Sequence, residues 1–378
     1  MRTLIVVVAL LLQAGKPIAP PAVVWRVSGA GHGRPAVDAG AVYFLSSRHE
    51  VIALDATKGT ERWRQNTLEP GSATEGSAVV VAGDVVVAGD YNLVAFDRIT
   101  GAFRWRFVPA IGYAPGVYLG GVSRGLVFAG SPAGRVYAVS VASGELAWST
   151  VVERSGRTTV FQPTTDGADL VAGFTTHVAP NRGGVVLLDT TTGSERWRAV
   201  FPPAPDPLLG TGSMGNPIFA GDLVIASSGD GTIFGFDRAK GFIRWTIPPI
   251  PGLPPILQGP FPLPDTSGAD YRPLARAWRT LFVGSLKGPV IAYDLSTLKE
   301  KWRYDEPHSG SVSFGLVSDD RYVYVPYASG RHVALDQSDG TEHWKTADAS
   351  DGFYWMATST DGFVYLAGGR GGFVAVYR

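Results

Sequence analysis

The chain has 378 residues with 48 Gly, 27 Pro, 10 Trp and no Cys, and 33 Lys plus Arg balance 33 Asp plus Glu. The missing thiol excludes disulfides, thiolate metal sites, cysteine nucleophiles and haem attachment through Cys-x-x-Cys-His. The zero net charge argues against a nucleic-acid partner, which needs a basic face.

At the N-terminus, Met1-Arg2-Thr3 precedes a nine-residue apolar run, Leu4–Leu12, and then Gln13-Ala14-Gly15. A positive charge, a short apolar run and a small residue describe a secretory signal, here residues 1–14. Nine residues fall short of the ~20 that span a bilayer. No later stretch is long and apolar enough to cross one. The expectation is a soluble, exported chain in a periplasmic or extracellular space. Without Cys it is not a lipoprotein anchored through that residue.

From Trp25 onward the chain repeats. Ala53-Leu-Asp-Ala-Thr-Lys-Gly-Thr-Glu-Arg-Trp63 recurs at Ala95–Trp105, Ala138–Trp148, Leu187–Trp197, Gly235–Trp245, Ala292–Trp302 and Ala334–Trp344. Successive Trp spacings from Trp25 are 38, 42, 43, 49, 48, 57 and 42 residues. A period of about 40–50 suits a four-stranded propeller blade. Ahead of most motifs lies a short β-branched or aromatic run, such as Val85–Ala88, Leu223–Ala226 or Tyr322–Val325, closed by Gly, Ser or Pro. These are buried strands with tight turns, and no amphipathic helix of ten residues stands out.

The second repeat shows one blade: strands at Ser77–Val81, Val85–Ala88, Leu93–Asp97 and Ala102–Arg106. The last strands of the chain, Phe363–Leu366 and Phe373–Tyr377, have no Trp after them, while Val23-Val-Trp-Arg26 is a strand without a blade. Joined, they complete an eighth unit. The reading is all-β: an eight-bladed β-propeller over residues 23–378, closed by pairing the strand around Trp25 with the C-terminal strands.

The repeated residues read as scaffold. Gly59, Gly101, Gly144, Gly193, Gly241 and Gly340 supply positive φ between third and fourth strands. Leu298 occupies that place in the sixth copy, which predicts a different turn there. Asp55, Asp97, Asp189, Asp237, Asp294 and Asp336 cap the turn amides, with Ser140 in the third copy. A catalytic carboxylate is needed once or twice, not six times. Trp25, Trp63, Trp105, Trp148, Trp197, Trp245, Trp302 and Trp344 suit half-buried blade junctions with one hydrogen-bond acceptor each.

The pattern Ala-x-Asp-x-x-x-Gly-x-x-x-Trp resembles the tryptophan-docking motif of the PQQ-like repeat family, over about residues 23–378. The resemblance implies a propeller whose Trp residues dock against the neighbouring blade. It also implies one of two branches: quinoprotein dehydrogenases holding PQQ with Ca²⁺, or non-enzymatic envelope propellers of the BamB kind. The dehydrogenase branch carries a vicinal Cys pair and clustered Ca²⁺ ligands, which this chain lacks. The expectation is therefore a monomeric, non-catalytic scaffold without cofactor or metal, binding another envelope protein or a ligand on its loop face.

Three sets of residues are candidates for that face. Aligning blades on their second strands places His32, Arg34, Glu75, Asn216, Tyr271, Arg272, His308 and Trp355 near the starts of inner strands. His32 and Glu75 fall at equivalent positions of adjacent blades, but a metal site needs a third ligand. The long insertion Ile247–Ala277 offers Leu253, Ile256, Leu257, Phe261 and Leu263 on a proline-stiffened stretch, as a partner surface or a plug over the propeller mouth. Phe201–Pro217 is a smaller insertion, and Phe174–Gly184 lies between second and third strands of the fourth blade. Tyr91, Tyr113, Tyr118, Tyr271, Tyr354 and Trp355 are the aromatics a carbohydrate-binding propeller would stack on sugar rings. No serine-hydrolase, zinc-protease, P-loop or Ca²⁺-loop motif occurs.

Overall fold

The computed structural model describes residues 21–377 apart from 30, 39, 69–77, 111–113, 115, 154–156, 178–180, 205–209, 250–273, 278, 285–288, 307–311, 313–315, 328, 347–353, 359–361 and 369–371. Among the described residues there is no helix; every regular element is a strand. The strands form antiparallel four-stranded sheets in sequence order, the arrangement of a β-propeller. In the second blade the order is Ala78–Ala82, Val85–Gly89, Leu93–Asp97 and Phe103–Phe107. Gly83 at φ 62° makes the first of its turns, where a side chain would be strained.

The first strand of each blade lies beside the first strand of the next. In the first two blades these strands, Gly31–Asp38 and Ala78–Ala82, approach closely enough for one parallel pairing, Arg34 with Ala78. The terminal sheet combines Tyr354–Thr358, Phe363–Gly368 and Gly372–Tyr377 with Val23–Val27 from the other end of the chain. Val27 pairs with Phe373 and Trp25 with Ala375.

The hydrophobic core is distributed between sheets. Tyr43, Leu45, Ala53 and Trp63 of the first blade pack on Val79, Val86, Val94 and Phe96 of the second. The third blade packs likewise on the fourth, and the sixth on the seventh. Trp25, Tyr365 and Ala367 of the terminal sheet pack on Val42, Phe44, Ile52 and Leu54 of the first blade. Second and third strands are therefore buried on both faces and read as continuous apolar runs.

Two expectations are corrected. The segment Phe174–Gly184 is mostly strand, because Asp169–Thr176 and Arg182–Asp189 run to eight residues each and pair as far as Thr176 with Arg182. The Leu298 turn is not different: Leu298 sits at φ 56° and its amide donates to the Asp294 carbonyl at 2.7 Å, as Gly59 does to Asp55 at 2.8 Å. The neighbouring contacts hold a branched residue in a left-handed conformation that costs it about 1–2 kcal/mol.

Candidate functional site

The motif residues act together at each blade junction. The Asp55 carboxylate accepts from the amides of Thr57 and Lys58 at 3.1 and 3.0 Å, and from the Arg62 guanidinium at 2.9 Å. Asp97 with Arg104 and Asp189 with Arg196 repeat the arrangement. The Arg62 bond depresses the Asp55 carboxyl well below its usual range, and the Arg196 bond lowers Asp189 to about 2. These carboxylates are held as caps and ion-pair partners, an arrangement repeated too often to mark one active centre.

Six of the motif indoles reach the next blade. Trp25 donates to the carbonyl of Ala56, Trp63 to Arg98, Trp105 to Val141, Trp148 to Thr190, Trp197 to Arg238 and Trp302 to Gln337, at 2.7–3.1 Å. The ring lies over the turn glycine, so a Cβ on Gly101 would come within 2.8 Å of Trp63. Trp245, for which the turn residue of the next blade is Leu298 in place of Gly, makes no such bond among the described residues. It lies against its own cross-strand partner, Gly235, where Ala53, Ala95, Ala138, Ala292 and Ala334 stand in other blades and Leu187 in the fourth. A cavity of about 210 Å³ lies beside this junction, lined by Ile247, Tyr293 and Leu298 among others. The Trp344 nitrogen is buried without a partner among the described residues.

Polar links reinforce some junctions. Arg98 pairs with Asp38 of the preceding blade, and Arg238 with Asp166 and Asp169 of its predecessor. Buried His49 of the first blade meets Asp90 of the second at 2.5 Å. Tyr304 of the sixth blade lies 2.5 Å from Glu342 of the seventh. Burial is the main cause that raises the Tyr304 phenol pKa, so it stays a neutral hydrogen-bonding group.

Of the channel-mouth candidates, the structure describes the side chains of Arg34 and Asn216. His32 and Trp355 are described in backbone alone, paired with Leu45 and Ala367. Glu75, Tyr271, Arg272 and His308, with the insertion residues Leu253, Ile256, Leu257, Phe261 and Leu263, lie outside the described residues.

Arg34 and Asn216 occupy the same place in different blades. Ala41, Asp169 and Leu223 each pair with a motif Asp, which fixes a common register for the first, fourth and fifth blades. Seven residues before these positions stand Arg34, Gln162 and Asn216, each followed by a buried proline: Pro35, Pro163 and Pro217. Strand pairing is broken at all three. The register shifts between His32 and Ala36 and between Met214 and Ile218. In the fourth blade the first strand divides into Thr158–Val160 and Thr164–Thr165. Gln162 is absent from the sequence candidates; a polar residue before proline at a fixed offset is the signal that finds it.

Arg34 is exposed and the two amides are half-buried, and none has a hydrogen bond or ion pair among the described residues. Surrounding protein lowers the Arg34 pKa by desolvation, with no described charge offsetting it.

The outer surface has its own pattern. The fourth strands carry Glu61, Glu195, Glu300 and Glu342, each paired with the basic residue three positions on. Phe103, Leu146 and Ile243 replace that Glu in the second, third and fifth blades. Phe103 and Leu146 are 60% and 48% exposed on adjacent blades, and Ile99 of the second blade is 77% exposed.

The fold and its Asp, Gly and Trp junctions define a β-propeller of PQQ-like repeats. The family described as outer membrane protein assembly factor BamB matches residues 18–247 and 266–376. The chain belongs to that family. Outer membrane protein assembly factor BamB of Burkholderia pseudomallei (strain K96243) is 26% identical over 351 residues, covering 88% of this chain and 79% of that protein. The crystal structure of BamB from Moraxella catarrhalis superposes with TM-score 0.68 at 18% identity, covering 95% of this chain and all of that one. Quinohemoprotein alcohol dehydrogenase from Comamonas testosteroni gives TM-score 0.69 at 16% identity over 94% of this chain and 76% of that one, a likeness of fold. No helix of the described residues is long and apolar enough to cross a membrane.

Proposed function

We propose that this chain is an exported, monomeric scaffold of the cell envelope: a closed ring of eight blades that holds a protein partner and carries no cofactor. The observation that carries the reading is the match along nearly the whole chain to a family described as an outer-membrane assembly factor. Two features support the ring. The first and last strands share a sheet, and Trp25 and Tyr365 pack that sheet on the first blade. The repeated Asp and Arg residues engage one another within the junctions, leaving recognition to the surfaces that depart from the pattern.

Among the described residues, no group of three His, Asp or Glu side chains could hold a metal ion. The partner contacts in this reading are the exposed apolar residues Ile99, Phe103 and Leu146, the last two standing where the Glu pattern of the fourth strands is interrupted. Affinity capture of the tagged chain from envelope extract tests the reading. One membrane-assembly protein is expected to co-purify, with weaker capture by the Phe103→Glu, Leu146→Glu double variant. Dye-linked alcohol oxidation after loading with PQQ and Ca²⁺, with no protein captured, would replace this reading with the dehydrogenase one.

A further inference from the structure

We infer that the cavity between the fifth and sixth blades is a docking point for an extended segment of a protein partner. The segment places one apolar side chain beside Leu298 and offers a main-chain carbonyl to Arg303. The inference deepens the scaffold reading above and rests on it. In the second, fourth and seventh blades the basic residue after the motif Trp reaches back to the preceding blade. Arg106 donates to the carbonyl of Thr67, Arg198 to that of Val152, and Lys345 lies 3.9 Å from the Glu306 carboxylate. Thr67, Val152 and Glu306 each stand four residues after their own Trp, so Pro249 is their counterpart in the fifth blade. Arg198 and Arg303 are close equivalents. Nε and Nη2 of each hold the Glu three positions before, at 3.2 and 2.6 Å in the fourth blade and at 3.1 and 2.8 Å in the sixth. Nη1 of Arg198 takes the Val152 carbonyl. Nη1 of Arg303 has no partner among the described residues. Arg303 and Pro249 instead both line the cavity of about 210 Å³, together with Ile247, Pro248 and Leu298.

The chemistry of the cavity selects its occupant. Glu300 already neutralises Arg303, so the free N–H calls for a neutral acceptor rather than a second anion. A main-chain carbonyl is the acceptor that the same nitrogen takes in the fourth blade. Ile247, Pro248, Pro249 and Leu298 supply apolar wall, and an apolar cavity of ~150 Å³ is large enough to hold one benzene ring. An extended chain brings both groups, because its side chains and carbonyls project from one short stretch. The junction leaves space for them: among the described residues Trp245 makes no bond to the sixth blade, and its ring lies back on Gly235.

Fluorescence anisotropy of the full chain at pH 7 with the capped peptide acetyl-Ala-Ala-Phe-Ala-Ala-Lys-amide, labelled with fluorescein on its Lys, tests the site. Saturable binding is expected, weakened ~10-fold or more when Ala replaces the Phe of the peptide. Arg303→Met keeps the stem but removes the donors, and is expected to weaken binding ~10-fold or more, as for loss of a hydrogen bond to a charged group. Leu298→Trp fills the cavity and is expected to abolish binding. Arg198→Met removes a bond already made between blades, so it is expected to lower the thermal midpoint and leave peptide affinity unchanged. Thermal midpoints of all variants show whether each still folds. No saturable change in anisotropy, or equal affinity in Arg303→Met and the wild-type chain, overturns the site. Binding that appears only once Leu253 and Leu257 are changed to Ser assigns the cavity to the chain's own insertion and overturns the partner assignment. A chain that cross-links to its partner through position 103 yet ignores the peptide refutes the cavity alone and leaves the scaffold reading in place.

Discussion

The indole nitrogen of Trp25 lies 2.9 Å from the carbonyl oxygen of Ala56, although the two residues belong to different sheets. Its ring covers Gly59, and Tyr365 packs beside it at 6.0 Å between centroids. This contact ties the N-terminal strand, itself paired with the C-terminal one, to the first blade. Trp25→Ala is expected to destabilise the whole chain by ~3–5 kcal/mol, as for other buried aromatics. Trp25→Phe is expected to cost ~1 kcal/mol, mostly the lost bond to Ala56. Urea unfolding monitored by circular dichroism reads both; a Trp25→Ala chain as stable as wild type would mean that the ends do not join the ring.

The turn glycines carry two constraints that substitution separates. Gly83 and Gly101 both have positive φ, but a Cβ at Gly83 meets nothing within 4 Å, whereas at Gly101 it meets Trp63. Gly83→Ala is expected to cost ~1 kcal/mol from backbone strain alone. Gly101→Ala is expected to cost a further ~1–3 kcal/mol for the displaced ring. Equal losses in thermal unfolding would show that the ring gives way freely.

Leu298 and Gly235 are the inverse case. Leu298→Gly is expected to raise stability by up to ~1 kcal/mol, by relieving the left-handed backbone. Gly235→Ala is expected to lower it by ~1–3 kcal/mol, because Trp245 occupies that space. A neutral Gly235→Ala, read by the unfolding midpoint, would place Trp245 elsewhere.

Acid is expected to act in two windows. Burial lowers the His332 pKa from 6.5 to about 3, so the unfolded chain takes up that proton first. The stability His332 contributes is therefore complete above pH ~6.5 and falls by up to about 1.4 kcal/mol per pH unit below it. Asp189, lowered from 3.8 to about 2, contributes above pH ~3.8 and loses its effect as pH falls toward 2. Unfolding midpoints from pH 7 to 4.5 should flatten in His332→Leu and keep their slope in Asp189→Asn.

The scaffold was legible because it repeats. A Gly at positive φ, an Asp capping the turn and a Trp eight residues later recur, so one copy checks another. Leu298 misled because glycine marks a φ requirement without being the one residue able to meet it. Phe174–Gly184 was read as an insertion because its residues lengthen two strands rather than add a turn. The axis was legible in part. Arg34 and Asn216 stood out as polar residues near inner strands, but Gln162 needed the pairing register, since its strand is split. Recognition surfaces leave less trace: the interrupted Glu pattern at Phe103 and Leu146 appears once the fourth strands are aligned.

Quantitative mass spectrometry of proteins cross-linked in intact cells to this chain, through a photoreactive residue at position 103, tests the scaffold reading most directly. The account predicts one dominant adduct with an outer-membrane assembly protein, lost when Leu146 is changed to Glu. A chain that forms no adduct above background at that position, and sustains PQQ-dependent oxidation when purified, would contradict it.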